Sequence, residues 1–217
     1  KVRKHIDAQN LSHADGISAN SRYTQHNILK AYGLRSKLCH MGVDISTFYP
    51  TVQKSIDVLF IGTRDPLEGY SLFQNAIHIM EKKPTTLALI RGENWATNDT
   101  QLRDYYSSAR IVLCLGYNEP FGLIPLEAMA CGAVPVALAE GGYLDSVKDG
   151  ITGVLVKKNS KDLALTLEKL LSNTKKLKHM SMSAIQEMRK NWQWSTGAQH
   201  IVQEYLTFLH SRPLKRS

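Results

Sequence analysis

Short apolar segments alternate along this chain with segments of helical periodicity. The clearest are Ile56–Ile61, Thr86–Ile90, Ile111–Leu115 and Val134–Leu138, and glycines follow most of them closely. Continuous apolar runs of this length are typical of strands buried on both faces of a parallel sheet. Their alternation with helical segments predicts an α/β fold, with a Rossmann-like parallel sheet flanked by helices.

The helices and the shorter strands are predicted from helix-capping residues and from the spacing of apolar positions. Ser21 is a typical helix N-cap and Gly33 a typical helix stop. Two conspicuous side chains, Trp192 and Trp194, are expected to anchor the last helix. The predicted helices run from Ser21 to about Tyr32, Tyr70 to Lys82, Thr100 to Ser108, Leu123 to Ala130, Asp145 to Lys148, Lys161 to Ser172, Lys175 to Lys190, and Ser195 or Thr196 to about His210. Short strands are predicted at Gly16–Ala19, Lys37–Met41 and Val154–Val156.

The formal charge of +8 calls for an explanation, because a basic surface serves several kinds of anionic partner. The excess lies in helical and terminal stretches that carry no aromatic platform and no nucleic-acid motif, so nucleic acid is not expected as a partner. Two interpretations of the basic surface remain: a face exposed to solvent, and a face that contacts anionic lipid headgroups. The basic residues concerned are Lys157, Lys158, Lys161, Lys169, Lys175, Lys176, Lys178, Arg212, Lys215 and Arg216.

The spacing of the cysteines and the hydropathy of the chain indicate the cellular compartment in which the protein is expected to work. The three cysteines are widely spaced, which predicts buried free thiols in a reducing compartment rather than disulfides or a zinc site. No apolar run is long enough to cross a bilayer. We therefore expect a cytoplasmic location, with peripheral contact at the inner membrane face as an option.

Ligands of open α/β sheets bind outside the carboxyl ends of the strands. Four loops follow predicted strands there: Gly62–Gly69, Gly92–Asn98, Gly116–Leu123 and Glu140–Tyr143. Each contains glycine, which permits positive φ and close approach of the backbone to a ligand. A binding site is therefore predicted across these loops.

The loop before the predicted helix Leu123–Ala130 is the richest in chemistry. Glu119 precedes the helix, Pro125 suits its first turn, and Glu127 lies one turn further on. The amides of Gly122 and Leu123 at the helix start predict an anion site. The two carboxylates are expected at different depths of one cleft, one facing a sugar and the other the paired hydroxyls of a ribose. The alternative is that both glutamates only complement the helix dipole.

The stretch from Glu119 to Val156 resembles the donor-binding domain of glycosyltransferase family 4 and related retaining GT-B enzymes. The shared pattern is Glu-x-Phe-Gly-x-x-x-x-Glu-Ala-Met-Ala-x-Gly, and this chain matches it at Glu119, Phe121, Gly122, Glu127, Ala128, Met129, Ala130 and Gly132. A Gly-Gly turn and an Asp-Gly-x-x-Gly stretch follow at Gly141-Gly142 and Asp149–Gly153. The resemblance implies the C-terminal domain of a GT-B fold.

The resemblance also implies roles for individual residues. Glu119 is expected at the donor sugar as the catalytic residue, Glu127 at the ribose hydroxyls, and the backbone of Phe121–Leu123 at the sugar and phosphates. No metal is expected, since amides and basic side chains neutralise the diphosphate leaving group in such enzymes. Further substrate contacts are expected at Gly62, Thr63, Arg64, Arg91, Gly92, Gly141 and Gly142.

The implied domain organisation has three parts. Residues 1–50 would be the end of an acceptor-side region and the segment leading into the donor domain. Residues 51–192 would form the nucleotide-sugar-binding domain, and residues 193–217 a crossover helix and tail. The partners implied are a UDP- or GDP-sugar donor, a glycan or lipid-linked acceptor, and an N-terminal acceptor domain without which this chain is expected to be inactive.

Two departures from the family pattern bear on function. Thr63 and Glu68 stand where the family usually has the Arg and Lys that hold the diphosphate, although Arg64 and Arg91 are candidate substitutes. The stretch between Gly92 and Thr100 is also shorter than usual, in a region expected to contact the base. These departures motivate one alternative to a retaining transferase, a non-catalytic nucleotide-sugar-binding module. A second alternative, a phosphorylase or epimerase on the same scaffold, stays open because fold alone cannot exclude it.

Overall fold

The computed structural model describes residues 10–11 and 14–211; the basic residues predicted after Ser211 lie outside this range. A five-stranded parallel sheet forms the centre, in the order β4-β3-β5-β6-β7. Its strands are β3 (Ile56–Gly62), β4 (Thr86–Ile90), β5 (Ala109–Cys114), β6 (Val134–Leu138) and β7 (Val154–Val156). The predicted α/β fold with a parallel sheet flanked by helices is confirmed.

The helices are α1 (Arg22–Tyr32), α2 (Tyr70–Ile79), α3 (Asp99–Ser108), α4 (Ile124–Ala130), α5 (Tyr143–Ser146), α6 (Ser160–Ser172), α7 (Thr174–Asn191) and α8 (Trp194–Ser211). A 3₁₀ turn covers Pro66–Glu68. The middle strands are buried because helices cover them; every residue of β6 is buried, as are Ile111–Cys114 of β5. The cysteines 39, 114 and 131 are buried and free, as predicted.

A lead-in segment, residues 14–50, packs against one end of the central domain. Its strands β1 (Ser18–Ala19) and β2 (Lys37–Leu38) form a separate parallel pair around α1. Backbone hydrogen bonds join the segment to the start of α8: the Val43 amide donates to the Trp192 carbonyl at 2.9 Å, and the Trp194 amide donates to the Val43 carbonyl at 3.0 Å. The first and last described parts of the chain therefore meet at one place.

Four local predictions need correction. Helix α2 ends at Ile79 rather than Lys82, because Met80 is extended and the Lys83 ammonium binds carbonyls of the last turn. Helix α5 begins at Tyr143 instead of Asp145, directly after the Gly-Gly turn, and β2 is only two residues long. Trp192 is buried as expected of an anchor, but Trp194 is 55% exposed.

Candidate functional site

The four glycine-containing loops meet at the carboxyl edge of the sheet, because strands β4, β3, β5 and β6 lie side by side and point the same way. Backbone hydrogen bonds link the loops to one another. The Arg91 amide donates to the Gly62 carbonyl at 2.9 Å and the Tyr117 amide to the Leu67 carbonyl at 2.7 Å. The segments carrying the predicted site residues are thus held together at one edge.

The backbone before Glu119 is held in an unusual conformation. Asn118 has φ 54°, the one positive value among the described residues other than glycine, and asparagine tolerates this region better than most residues. Its amide donates to the Glu140 carboxylate at 2.9 Å, and its side-chain oxygen accepts from the Tyr23 hydroxyl at 3.1 Å. These contacts fix the turn that presents Glu119.

The Gly-Gly turn packs directly on the Glu119 loop. The Gly142 amide donates to the Glu119 carbonyl at 2.8 Å. A Cβ on Gly141 would stand 2.5 Å from that same oxygen, and one on Gly142 would stand 2.6 Å from the Phe121 carbonyl oxygen. Side chains cannot fit between these two backbones. The turn therefore supports the loop through close backbone contact, and the two glycines, predicted as substrate contacts, are placed against it.

Tyr143, which the sequence reasoning overlooked, forms one wall beside Glu119. Its hydroxyl is hydrogen-bonded to the Gly116 amide, and burial raises the pKa of this phenol well above its ordinary value, so the ring stays neutral. Its ring approaches Gly122 so closely that a Cβ there would lie 2.6 Å from the Cε1 atom. A Glu119 carboxylate oxygen lies 3.6 Å from the Cβ position on Gly116. An aromatic directly after a Gly-Gly turn was the signal available in the sequence.

Glu127 lies in the first turn of α4, together with Pro125 as predicted. Its carboxylate accepts a hydrogen bond from the Tyr106 hydroxyl of α3 at 2.7 Å. Burial raises the pKa of Glu127, while the Tyr106 hydrogen bond lowers it and the Asp99 carboxylate raises it. Tyr106 is completely buried, so Glu127 is held at the edge of the core by a fixed donor.

A cavity of about 570 Å³ opens beside Glu127. Its lining includes Glu127 and the exposed Leu123 but not Glu119, whose carboxylate instead lies near Gly116 and Gly122. The structure thus places Glu127 at this cavity and the Glu119 carboxylate near Gly116, and the expectation that both line one cleft around a bound ligand stays a prediction. The other lining residues are Gly42, Val43, Asp44, Ile45, Phe48, Gln193, Trp194 and Ser195.

The two candidate phosphate-binding arginines are exposed and already have partners. Arg64 forms a bidentate ion pair with Glu93, at 2.5 and 2.8 Å, and its guanidinium lies over the Tyr70 ring. Arg91 lies over the Trp95 ring, 4.7 Å from its centroid. The Thr63 hydroxyl accepts from a backbone amide of its own loop. Gly92, with φ 90°, begins the short loop after β4.

The lead-in segment contacts the back of the Glu119 loop through α1. The Ser21 hydroxyl donates to the Pro120 carbonyl, and the Thr24 hydroxyl donates to the same oxygen at 3.2 Å. The Asp145 carboxylate, whose side chain is only 5% exposed, accepts from the Arg22 amide at 2.7 Å and lies 2.9 Å from His40 Nε2. His40 is thus part of the contact between the lead-in segment and α5.

Phe121 is buried rather than open to a ligand. Its ring is stacked with His40 at a centroid distance of 6.2 Å and lies at 6.1 Å from Trp192. Only its backbone is therefore available for the predicted substrate contact. The side chain instead joins the Glu119 loop to the lead-in segment and the start of α8.

A parallel sheet flanked by helices, with convergent glycine loops at its carboxyl edge, defines a Rossmann-like α/β domain. The family comparison agrees: residues 94–187 match the family described as Glycosyl transferases group 1. The resemblance predicted from the sequence is confirmed at this level, and the matched segment includes both Glu119 and Glu127.

Among curated proteins, the chain is 27% identical over 248 residues to a D-inositol 3-phosphate glycosyltransferase of Kribbella flavida, covering 93% of this chain and 58% of that protein. It is 32% identical over 106 residues to the protein of that name from Thermobispora bispora, covering 48% of this chain and 24% of the relative. The chain thus spans little more than half the length of the first relative and a smaller part of the second.

Two solved structures share the fold closely. Sucrose-phosphate synthase from Thermosynechococcus elongatus has a TM-score of 0.82 at 20% identity, covering 97% of this chain and 62% of that one. Anabaena HepE in complex with UDP-glucose has a TM-score of 0.83 at 20% identity, covering 95% of this chain and 68% of that one. At this identity the likeness establishes the GT-B fold, and the activity of the whole protein is taken up as a proposal.

Proposed function

We propose that this chain is the donor-binding domain of a retaining glycosyltransferase, which transfers a sugar from a nucleotide-diphosphate sugar to an acceptor hydroxyl. The observation that carries the proposal is the placement of Glu119 and Glu127 on either side of the start of α4, within the segment matched by the family. HepE, a neighbour in fold, is described in complex with UDP-glucose, which supports a UDP-sugar donor; a GDP-sugar is the alternative.

In this proposal Glu119 lies beside the donor sugar. The Glu119 side chain lies beside Gly116, Gly122 and the neutral phenol of Tyr143, so its surroundings are shaped largely by backbone. A carboxylate held at this place can accept sugar hydroxyls and stabilise positive charge that develops at the anomeric carbon. The departing phosphate oxygen would accept the proton of the acceptor on the same face, which gives retention of configuration.

Glu127 is proposed to bind the ribose. Two hydroxyls of a ribose suit one carboxylate, and the Tyr106 hydroxyl leaves one oxygen of Glu127 available for them. The backbone amides of Phe121–Leu123 are proposed to contact the sugar and phosphates. No metal cofactor is part of the proposal.

The acceptor is proposed to be a glycan or lipid-linked glycan bound mainly by an N-terminal acceptor domain of the whole protein. D-inositol 3-phosphate, named in the curated relatives, belongs in the same acceptor panel. Within residues 10–11 and 14–211, no helix is long and apolar enough to cross a membrane. A cytoplasmic location, with peripheral contact to anionic lipid through the basic surface, is proposed as the setting.

The test is Glu119→Gln in the full-length protein, assayed for transfer from UDP-glucose and GDP-mannose to the acceptor panel. Loss of a group that stabilises the transition state is expected to reduce turnover by about 10²-fold or more. Glu81→Gln, at an exposed site on the opposite edge of the sheet, is the control. Turnover that Glu119→Gln leaves undiminished refutes the assigned role, and NMR of the product's anomeric centre decides retention.

One observation favours the second candidate, a nucleotide-sugar-binding module without catalysis. Glu68 stands at the position where the family resemblance implies a lysine, and its carboxylate lies near Gly62. Tight nucleotide binding by a full-length protein that transfers no sugar to any acceptor in the panel would support this candidate over the transferase.

A further inference from the structure

Glu68 is held near the carboxyl end of β3 by the packing of its own turn. The carbonyl of Leu67 accepts from the Tyr117 amide at 2.7 Å, which ties the 3₁₀ turn to the loop after β5. Gly69, at φ 79°, packs so tightly that a Cβ would lie 2.5 Å from the Leu115 carbonyl oxygen. The Glu68 carboxylate consequently lies 3.4 Å from the Cβ position on Gly62, at the end of β3.

The charges around Glu68 are mostly of its own sign. Burial raises the pKa of Glu68, the carboxylates of Glu119 and Asp65 raise it further, and Arg91 lowers it. Tyr143, on the opposite wall, is neutral. These are the titratable groups that face Glu68 from the loops after β3, β4, β5 and β6.

A second arginine at this edge of the sheet already has an anionic partner. Arg64 is held by both oxygens of Glu93, so its charge is largely compensated before any ligand arrives. A nucleotide-diphosphate sugar brings two phosphate charges to an edge where the carboxylates of Glu68 and Glu119 already lie at the ends of the neighbouring strands β3 and β5, near Gly62 and Gly116. Neutralising one of these two carboxylates removes part of the repulsion and strengthens donor binding.

We propose that Glu68 takes up a proton when the donor binds, and that its neutral carboxyl then donates a hydrogen bond to a phosphate oxygen. A protonated carboxylic acid has an O–H donor, whereas a carboxylate has acceptors only. Glu68 is the residue that accepts the proton because it is partly buried and surrounded by like charge. This inference rests on the proposed function, since it assumes a diphosphate donor, and it makes donor affinity dependent on pH.

The direction of the pH dependence follows from the linkage between proton binding by Glu68 and donor binding. The free protein holds Glu68 with a raised pKa, and the bound phosphates raise that pKa further. Between the two pKa values, binding takes up protons, so donor affinity falls as pH rises, by up to about tenfold per pH unit. Below the pKa of the free protein, Glu68 is already neutral and the affinity no longer depends on this group.

The experiment is calorimetric titration of the full-length protein with UDP-glucose and with GDP-mannose from pH 5.5 to 8.5, in EDTA, using buffers of different ionisation enthalpy. These sugar nucleotides are chosen because their diphosphate has no proton to lose in this range. The expected result for the wild type is uptake of up to one proton and an affinity that falls with pH. Glu68→Gln is expected to bind at pH 8 at least about tenfold more tightly than the wild type and without proton uptake, and Glu68→Lys more tightly still.

The matched control is Glu81→Gln, which removes an exposed carboxylate far from the cleft and is expected to retain the wild-type pH profile. Proton uptake that persists in Glu68→Gln overturns the inference, as does a wild-type affinity that does not change with pH. Binding that requires added Mg²⁺ and takes up no proton also overturns it, because the metal then replaces the proton. If no variant binds either sugar nucleotide at any pH, the proposed function fails first, a result distinguishable from the others.

Discussion

The hydrogen bond between Tyr106 and Glu127 offers a prediction that is independent of any ligand. Tyr106→Phe removes the buried hydroxyl that donates to Glu127 at 2.7 Å and leaves the surrounding packing in place. Hydrogen bonds to charged groups contribute about 1.5–3 kcal/mol, and neutral ones about 1 kcal/mol. The expected loss in the free energy of unfolding is therefore about 1.5–3 kcal/mol at pH 8, because the hydrogen bond from Tyr106 favours the ionised form of Glu127.

The pH dependence follows from the raised pKa of Glu127. A carboxyl whose pKa is raised in the folded state contributes stability below its unfolded pKa and loses that contribution as pH rises through the folded pKa. Removing the Tyr106 donor raises the pKa of Glu127 further, because this hydrogen bond favours the ionised form. The destabilisation by Tyr106→Phe is thus expected to be smaller at pH 4.5 than at pH 8.

The assay is urea unfolding at both pH values for Tyr106→Phe, Glu127→Gln and the double variant. Tyr105→Phe, on the same helix but only half-buried, is the control and is expected to change stability by less than about 0.5 kcal/mol. The double-mutant cycle isolates the coupling between Tyr106 and Glu127. A coupling near zero at pH 8, or a larger loss at pH 4.5 than at pH 8, refutes the reasoning.

Two further predictions concern the support of the Glu119 loop. Gly142→Ala is expected to lower both the melting temperature and the affinity for a sugar nucleotide, because its Cβ would lie 2.6 Å from the Phe121 carbonyl oxygen. The control is Gly150→Ala, at φ 72° with open space around it, which is expected to lower the melting temperature alone. Asp145→Asn is expected to cost about 1–3 kcal/mol in urea unfolding at pH 7, since a buried carboxylate loses charge-assisted contacts to Arg22 and His40; a change within 0.5 kcal/mol would contradict this.

Much of the site could be predicted because its residues are close together in the sequence. The spacing of Glu119 and Glu127, with Gly122 and Pro125 between them, requires a loop followed by a helix start, and the structure has that arrangement. The apolar runs gave the central strands to within two residues. Each of these signals depends on neighbouring positions, where the spacing alone fixes which side chains share an element.

The residues that were missed act across the fold. Tyr143 contacts Gly116 and Gly122 only because β5 and β6 are adjacent, and Asp145 reaches His40 only because the lead-in segment packs against α5. No local pattern contains such pairings. The placement of the Glu68 carboxylate was also not predictable from a local pattern, since it depends on how its turn packs on the loop after β5.

The sequence by itself determined the fold class, the edge of the sheet at which the site lies, and the positions of Glu119 and Glu127 around a helix start. It could do so because hydrophobic periodicity and helix capping operate over a few neighbouring residues. The tertiary structure alone decided that Glu127 borders a cavity whose lining excludes Glu119, that Arg64 is paired with Glu93, and that the Glu68 carboxylate lies near Gly62. The physical reason is that charge, burial and hydrogen-bond partners are set by distances in space, and those distances join segments far apart in the chain.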